Sequence, residues 1–325
     1  MILVTGGAGF IGSNLVAGLN QRGETAIAIA DHADEAKARN LEKRRYTELV
    51  APADLLRWLA GRKLDAILHM GAISSTTATD EPAVMAANFE LPMRLLDWCA
   101  EMRTPLLYAS SGATYGDGAA GFADDNTPEA FERLRPLNLY GRSKHRFDRA
   151  VLERAQSAAK MPPQWVGLKF FNVFGPNEYH KGEMRSVVCK AFPDAKAGNP
   201  VRLFASDRPG IADGGQERDF VYVKDAEAVT LWLLDHPQVS GIFNVGTGRA
   251  RSFKDLMLAL FRALKRAPKI EYFPMPAELQ GRYQYRTEAR MERLRSAGYD
   301  APFTPLEDAV EDYVTRYLDR DDPYR

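Results

Sequence analysis

Short apolar runs alternate with longer amphipathic stretches through the first half of the chain. The runs at 2–4 (Ile2-Leu3-Val4), 26–30, 66–70, 105–109 and 166–170 are each bounded by turn or polar residues and read as buried strands. Between them, 11–22, 54–61, 82–102 and 140–158 repeat their apolar positions at a helical period. Strand–helix alternation of this kind predicts an α/β fold built on a doubly wound parallel sheet with right-handed crossovers.

After residue 170 the pattern changes. Residues 172–185 mix Gly, Pro, Asn, His and Lys without a clear period, and a second irregular loop at 206–217 holds Pro209, Gly210, Gly214 and Gly215. Further strands are predicted at 220–223 and 242–245 with a helix at 225–234 between them, then helices and loops from 253 onward. No internal repeat or low-complexity segment interrupts this. The expected organisation is a sheet domain from 1–176 and 218–248, with a smaller, discontinuous α/β lobe from 177–217 and 249–325.

The first strand runs directly into Thr5-Gly6-Gly7-Ala8-Gly9-Phe10-Ile11-Gly12, which then opens a helix. Glycines there let the backbone approach a pyrophosphate without Cβ interference, and the helix start offers free N–H groups and a partial positive charge. Taken with the strand before and the helix after, the turn points to a Rossmann-type dinucleotide site. Asp31 ends the second strand, nineteen residues beyond Gly12, where an acid commonly bonds ribose hydroxyls and favours NAD. Lys37, Arg39, Lys43, Arg44 and Arg45 follow, and either neutralise a 2′-phosphate or form a solvated face. On these residues alone the choice between NAD and NADP stays open.

Composition narrows the partners. The 325 residues are 45% hydrophobic and 26% charged, an ordinary globular balance that excludes a disordered chain. Forty-three basic against forty-three acidic side chains leave no net charge, so a polyanion such as nucleic acid is not an expected partner. Cys99 and Cys189 lie in no Cys-x-x-Cys pair and read as buried packing residues, so no metal site is expected. With no membrane-spanning apolar window and no secretory leader pattern, the expected location is the cytoplasm.

Candidate chemistry sits at Tyr140-Gly141-Arg142-Ser143-Lys144, which places a phenol and an ammonium on one helical face. A phenol with a pKa of about 10 is a poor base at neutral pH, and a neighbouring lysine cation is expected to lower it. Ser111, just past the 105–109 strand, adds a hydroxyl to hold a substrate oxygen. His69 ends an apolar strand and His145 shares the Tyr140 helix, so both read as packing or surface residues.

These motifs, together with Ser110-Ser111-Gly112-Ala113-Thr114-Tyr115-Gly116, Arg218-Asp219-Phe220-Val221-Tyr222-Val223 and Asn244-Val245-Gly246-Thr247-Gly248, resemble the extended short-chain dehydrogenase/reductases over nearly the whole chain. Within them, Phe171-Asn172-Val173-Phe174-Gly175-Pro176-Asn177-Glu178-Tyr179-His180-Lys181-Gly182, Ser74-Ser75-Thr76-Thr77 and Leu279-Gln280-Gly281-Arg282-Tyr283-Gln284 are similar to the ADP-L-glycero-D-manno-heptose 6-epimerase family. The resemblance implies an NADP-dependent isomerase that inverts C6″ of an ADP-heptose for the inner core of lipopolysaccharide, in a homo-oligomer, expected as a pentamer. It implies a catalytic pair of Tyr140 and Lys181, with Lys144 and Ser111 beside Tyr140. Cofactor contacts are implied at Gly6, Gly9, Phe10, Ile11, Gly12, Asp31, His32, Lys37, Gly71, Ala72, Ile73, Ser74, Ser75, Asn88, Tyr140, Lys144, Val173 and Lys181, with Lys37 favouring NADP over NAD. Sugar-nucleotide contacts are implied at Ser111, Asn172, Glu183, Lys190, Phe204, Arg218 and Tyr283. A 4,6-dehydratase would need a carboxylate beside Ser111, where Gly112 and Ala113 stand instead. A UDP-hexose 4-epimerase would not need the His180-Lys181 loop, and a non-catalytic NADP-sensing protein would not need Tyr140, Lys144 and Ser111 together.

Overall fold

A computed structural model describes residues 1–32, 34–276 and 284–325. Among them the strands are β1 (Ile2–Thr5), β2 (Ile27–Ala30), β3 (Glu48–Val50), β4 (Ala66–His69), β5 (Leu106–Ser111), β6 (Trp165–Phe170), β7 (Asn172–Phe174), β8 (Val201–Phe204), β9 (Glu217–Tyr222), β10 (Gly241–Val245), β11 (Ala250–Ser252) and β12 (Ile270–Phe273). Seven of these form one parallel sheet in the order β10-β6-β5-β4-β1-β2-β3.

The apolar runs are continuous because both sheet faces are covered. On one face Val4, Ile29 and Phe243 pack against Leu15 and Leu19 of the helix Phe10–Gln21 and Val229 of the helix Val223–Leu234. On the other, Leu3, Ile67 and Tyr108 meet Leu95 and Cys99 of the helix Leu91–Met102 and Phe147 and Val151 of the helix Leu139–Ala155. Both cysteines are unpaired and buried. No helix among the described residues is long and apolar enough to cross a membrane.

From β1 the chain winds outward through β2 and β3, then returns to place β4, β5, β6 and β10 on the other side. The strand order therefore reverses between β1 and β4. At such a switch point the loops leaving the two strands part in opposite directions, and a crevice opens at the carboxyl ends. Gly6, Gly71 and Ser111 all leave strands along this edge.

Two smaller sheets lie outside the main one, β11-β9-β7 and β12-β8. The strand expected at 220–223 is β9, and it pairs with β7 and β11 instead of joining the central sheet. A separate apolar cluster of Phe174, Val188, Phe192, Leu256, Leu260 and Tyr313 packs beneath these strands. The helix expected at 82–102 is interrupted by a π-helical turn, Ala86–Glu90, which carries the fully buried Asn88.

Candidate active site

The glycine turn after β1 closes as its sequence requires. Gly6 has a positive φ of 67°, and a Cβ there would lie 2.6 Å from the amide nitrogen of Gly71 in the loop after β4. A Cβ on Gly12 would lie 2.1 Å from the carbonyl oxygen of Gly6. The helix Phe10–Gln21 starts at Gly9 without a side-chain cap. Its leading N–H groups and dipole are thus left for an anion. The cradle fits a dinucleotide pyrophosphate. Gly12→Ala is expected to strain this turn by about 1–3 kcal/mol. Its signature would be a lower melting temperature and reduced nicotinamide content in the purified protein.

Asp31 ends β2 and is 8% exposed. One carboxylate oxygen accepts from the Ala8 amide at 3.0 Å, and the other pairs with the Lys37 ammonium at 3.0 Å. The remaining basic residues of that segment are engaged elsewhere. Arg39 and Lys43 pair with Asp322, Arg44 donates to the Arg325 carbonyl, and Arg45 donates to the Asn20 carbonyl. The cluster is therefore largely a docking surface for the 322–325 segment. Lys37 is the member turned to Asp31, and His32 is exposed beside it.

The loop after β4 carries Gly71, Ala72, Ile73, Ser74 and Ser75. Asn88 fixes it: its amide oxygen accepts from the Ile73 N–H at 2.8 Å, and its nitrogen donates to the Ile73 carbonyl at 2.9 Å and to Ser143 Oγ at 3.0 Å. Asn88 thus ties the 71–75 loop to the Tyr140 helix, and the π turn is the local distortion that aims it. His69 hydrogen-bonds Thr5 at 2.6 Å, and burial with the Lys144 charge pushes its pKa down to about 3, so it stays neutral. His145 stacks on Phe131, and its pKa is lowered to about 4, chiefly by burial. Both are packing residues.

Asn138 caps the helix Leu139–Ala155 by accepting from the Gly141 amide at 2.8 Å. A Cβ at Gly141 would meet the Ala113 carbonyl oxygen at 2.8 Å, so glycine lets this helix press onto the turn after β5. That approach brings the Tyr140 phenol beside Ser111, whose hydroxyl favours the ionised phenol. Lys144 is 3% exposed and donates to the Ala109 carbonyl at 2.9 Å. Burial lowers its pKa to about 8, against the opposing field of Asp148. The expected lowering of the Tyr140 pKa by Lys144 is not what the structure has. Burial raises the phenol above its ordinary value, and Asp148 adds to this while Ser111 opposes it. The reason is geometric: the ammonium is spent on a backbone carbonyl, while the phenol sits in a desolvated crevice.

Lys181 stands at the start of the helix Phe10–Gln21, carried by a turn that follows β7. It lies in the turn Tyr179–Met184, with its ammonium 5.1 Å from the Phe10 ring centroid at the start of the dinucleotide helix. Burial lowers its pKa, against the fields of Glu178 and Cys189. The loop is held at several points. Asn177 has a φ of 73° and donates to Ser13 Oγ at 3.0 Å, while its carbonyl accepts from Asn40. Glu178 accepts from the Gly175 amide and from the Ser186 amide and hydroxyl, closing the loop across its base. Arg325 donates from its backbone to Asn177, and its guanidinium pairs with the buried Glu227, one bond measuring 3.1 Å. Asn40, Asn177, Glu178 and Arg325 were not singled out from sequence; only their partners reveal them.

The predicted sugar-nucleotide residues separate into groups. Lys190 and Phe204 line a cavity of about 300 Å³ with Asp194, Arg202, Gln216 and Phe253. Arg218 is 7% exposed, stacks 5.6 Å from the Phe253 ring centroid and donates to the Glu217 carbonyl. Asp219 does not pair with it. Its carboxylate accepts from Thr247, Gly248 and Ala289. Asn172 and Val173 lie on β7, with Asn172 exposed. The Glu183 side chain is 93% exposed and lies 3.7 Å from Lys190. Tyr283 lies outside the described residues.

A family model described as the NAD dependent epimerase/dehydratase family matches residues 2–246. The chain belongs to that family. The matched span includes both the glycine turn and the Tyr140–Lys144 helix, and membership supports a nicotinamide cofactor. Among curated relatives of this family, the ADP-L-glycero-D-manno-heptose-6-epimerase of Nitratidesulfovibrio vulgaris strain Hildenborough is 47% identical, with 100% of each chain covered. The protein of the same name from Fusobacterium nucleatum is 45% identical, again with 100% of each covered. The crystal structure of the Helicobacter pylori ADP-L-glycero-D-manno-heptose-6-epimerase aligns at a TM-score of 0.77 and 29% identity, covering 97% of this chain and 95% of that one. A Thermus thermophilus UDP-glucose 4-epimerase in complex with NAD aligns at 0.76 and 28%, covering 96% and 97%.

Proposed function

We propose that this chain is an isomerase that interconverts ADP-D-glycero-β-D-manno-heptose and ADP-L-glycero-β-D-manno-heptose by transient oxidation at C6″, supplying heptose for lipopolysaccharide. The observation that carries the reading is the placement of two proton-handling groups beyond the carboxyl ends of two strands of the main sheet, β5 and β1. Tyr140 stands beside Ser111 at the end of β5, and Lys181 stands over Phe10 beyond β1. One strand, β4, separates β5 from β1, so their backbones stand about 10 Å apart. The relatives at 45% and 47% identity carry the epimerase name over their full length, which supports the same substrate here.

The residues do complementary work. Inversion requires the ketone to present its second face, and its oxygen then meets a different partner from the one that held the alcohol. Tyr140 serves the oxygen in one orientation, with Ser111 sharing the hydrogen bond, and Lys181 serves it in the other. Each is able to take a proton from the hydroxyl or return one to the alkoxide. A nicotinamide, when bound, supplies the reversible hydride acceptor for C6″. The glycine turn, Asp31, the 71–75 loop and Lys144 are the groups that would hold it. Lys37 favours NADP: paired with Asp31, it cancels the carboxylate charge that would repel a 2′-phosphate. The 300 Å³ cavity beside Arg218 suits the nucleoside diphosphate, a guanidinium being a natural fork for phosphate oxygens.

The deciding experiment incubates purified protein with ADP-D-glycero-β-D-manno-heptose, adds no cofactor, and resolves the epimers chromatographically. Conversion to the L-glycero epimer, with NADP(H) released on denaturation, is expected. No conversion, alongside turnover of a UDP-hexose, would overturn the assignment.

A further inference from the structure

We propose that Asp148 and Lys169 are positioning residues of this reaction, a buried ion pair that holds Ser111, Tyr140 and Lys144 in register from behind. The proposal rests on the function assigned above, but its geometry stands apart from substrate and cofactor. Asp148 lies one turn beyond Lys144 and two beyond Tyr140 on the same helix, facing the sheet. Lys169 lies on β6 directly opposite Ser110 of β5. The two side chains are 0% and 1% exposed and 3.1 Å apart.

Each partner grips the segment that carries Ser111. Asp148 accepts from Ser110 Oγ at 2.6 Å. Lys169 donates to Thr114 Oγ1 at 2.5 Å, and the Thr114 hydroxyl donates in turn to the Ser111 carbonyl at 2.8 Å. The Lys144 ammonium holds the Ala109 carbonyl. Three consecutive residues at the end of β5 are therefore pinned by the catalytic helix and by β6 together. The rings of Tyr115 and Phe131 lie 4.8 Å and 4.9 Å from the Lys169 ammonium and complete its surroundings.

Stability is a poor reason for such a pair. Desolvating two charges costs several kcal/mol per ion, and well-packed apolar replacements of buried pairs are often neutral or stabilising. What an apolar pair cannot do is aim hydrogen bonds at Ser110 and Thr114. The pair also acts through its field. The ionisable groups around Asp148 are Tyr140, Lys144 and His145 on its own helix, Tyr108 on β5, Tyr115 on the following turn, and Lys169 on β6. His69 on β4 faces Lys144, and Asp124 faces Lys169. Asp148 raises the pKa of both Tyr140 and Lys144. It keeps Lys144 a cation and the phenol protonated.

The test compares the wild-type holoenzyme with Asp148→Asn, Lys169→Met, the double variant and Lys169→Arg. The two single losses are expected to lower kcat at least about tenfold with KM and bound nicotinamide unchanged. The double variant should be no worse than either single one, because the pair acts as a unit. Lys169→Arg, which keeps the charge, should recover most of the rate. Removing Asp148 should also move the onset of Tyr140 ionisation to lower pH, read as tyrosinate absorbance against a Tyr140→Phe reference without any substrate. Rates within twofold of wild type, additive losses, or losses that merely follow the fraction of folded or cofactor-bearing protein would each overturn the proposal. An inactive wild type would count against the assigned reaction alone. The tyrosinate titration then decides the positioning role: an earlier onset in Asp148→Asn supports it, and an unchanged onset overturns it.

Discussion

Tyr140→Phe is expected to slow epimerisation by about 10²–10⁴-fold, while the protein still folds and still carries its nicotinamide. The substitution removes a single oxygen from a side chain held by the Asn138 cap and by the close seat of Gly141 on the turn after β5. Neither support involves the phenol oxygen, so helix and crevice should keep their shape. What disappears is the hydroxyl beside Ser111 that is proposed to handle the substrate proton. Burial raises the pKa of that phenol, so its protonated form dominates at neutral pH. As a proton donor it is ready; as an acceptor it requires a nearby positive charge, which an oxidised nicotinamide brings when bound. Timed chromatography of the two epimers, with the cofactor absorbance recorded on the same sample, checks this. Activity within tenfold of wild type would remove Tyr140 from the reaction.

Lys181→Met should produce a loss of comparable size, about 10²–10⁴-fold, for a separate reason. Methionine keeps much of the unbranched apolar stem over Phe10 and deletes only the charge and the proton-carrying atom. The lost contact between ammonium and ring is worth about 2 kcal/mol for a desolvated pair, which the remaining bonds of the loop offset. Asn177 and Glu178 would still clamp it through bonds that do not involve the lysine side chain. Burial already pushes the Lys181 pKa down, the direction a lysine base needs to be neutral part of the time. Lys181→Arg should therefore fail as well, since a guanidinium keeps its proton. Near-full activity in Lys181→Met would end the two-group scheme, with Tyr140 left to serve both faces.

The two variants differ in how far sequence alone could foresee them. Tyr140 and Lys144 share one helical face at four-residue spacing, a local pattern with a chemical reason behind it. Lys181 has no local pattern that separates it from a surface lysine. Resemblance to a family pointed to it, and only the packing of its loop against Phe10 supplies a physical reason.

Local sequence determined the parts that depend on neighbours along the chain. Apolar runs at 2–4, 26–30 and 66–70 became adjacent parallel strands because a run apolar on both faces has to be covered on both. The glycine turn was legible because its demands are local: Gly6 has a positive φ, and a Cβ at Gly12 would strike the Gly6 carbonyl. Tertiary structure alone decided matters of pairing. It turned most of the basic run after Asp31 into a seat for the 322–325 segment, leaving Lys37 on Asp31. It placed β9 in a side sheet, and it buried Asp148 against Lys169 across 21 residues of chain. Hydrophobic period and backbone sterics act over a few residues and can be read in order. The partner of a charge, and hence the protonation state of a catalytic group, depends on which distant segments share its low-dielectric surroundings, and that is known only once the chain has folded.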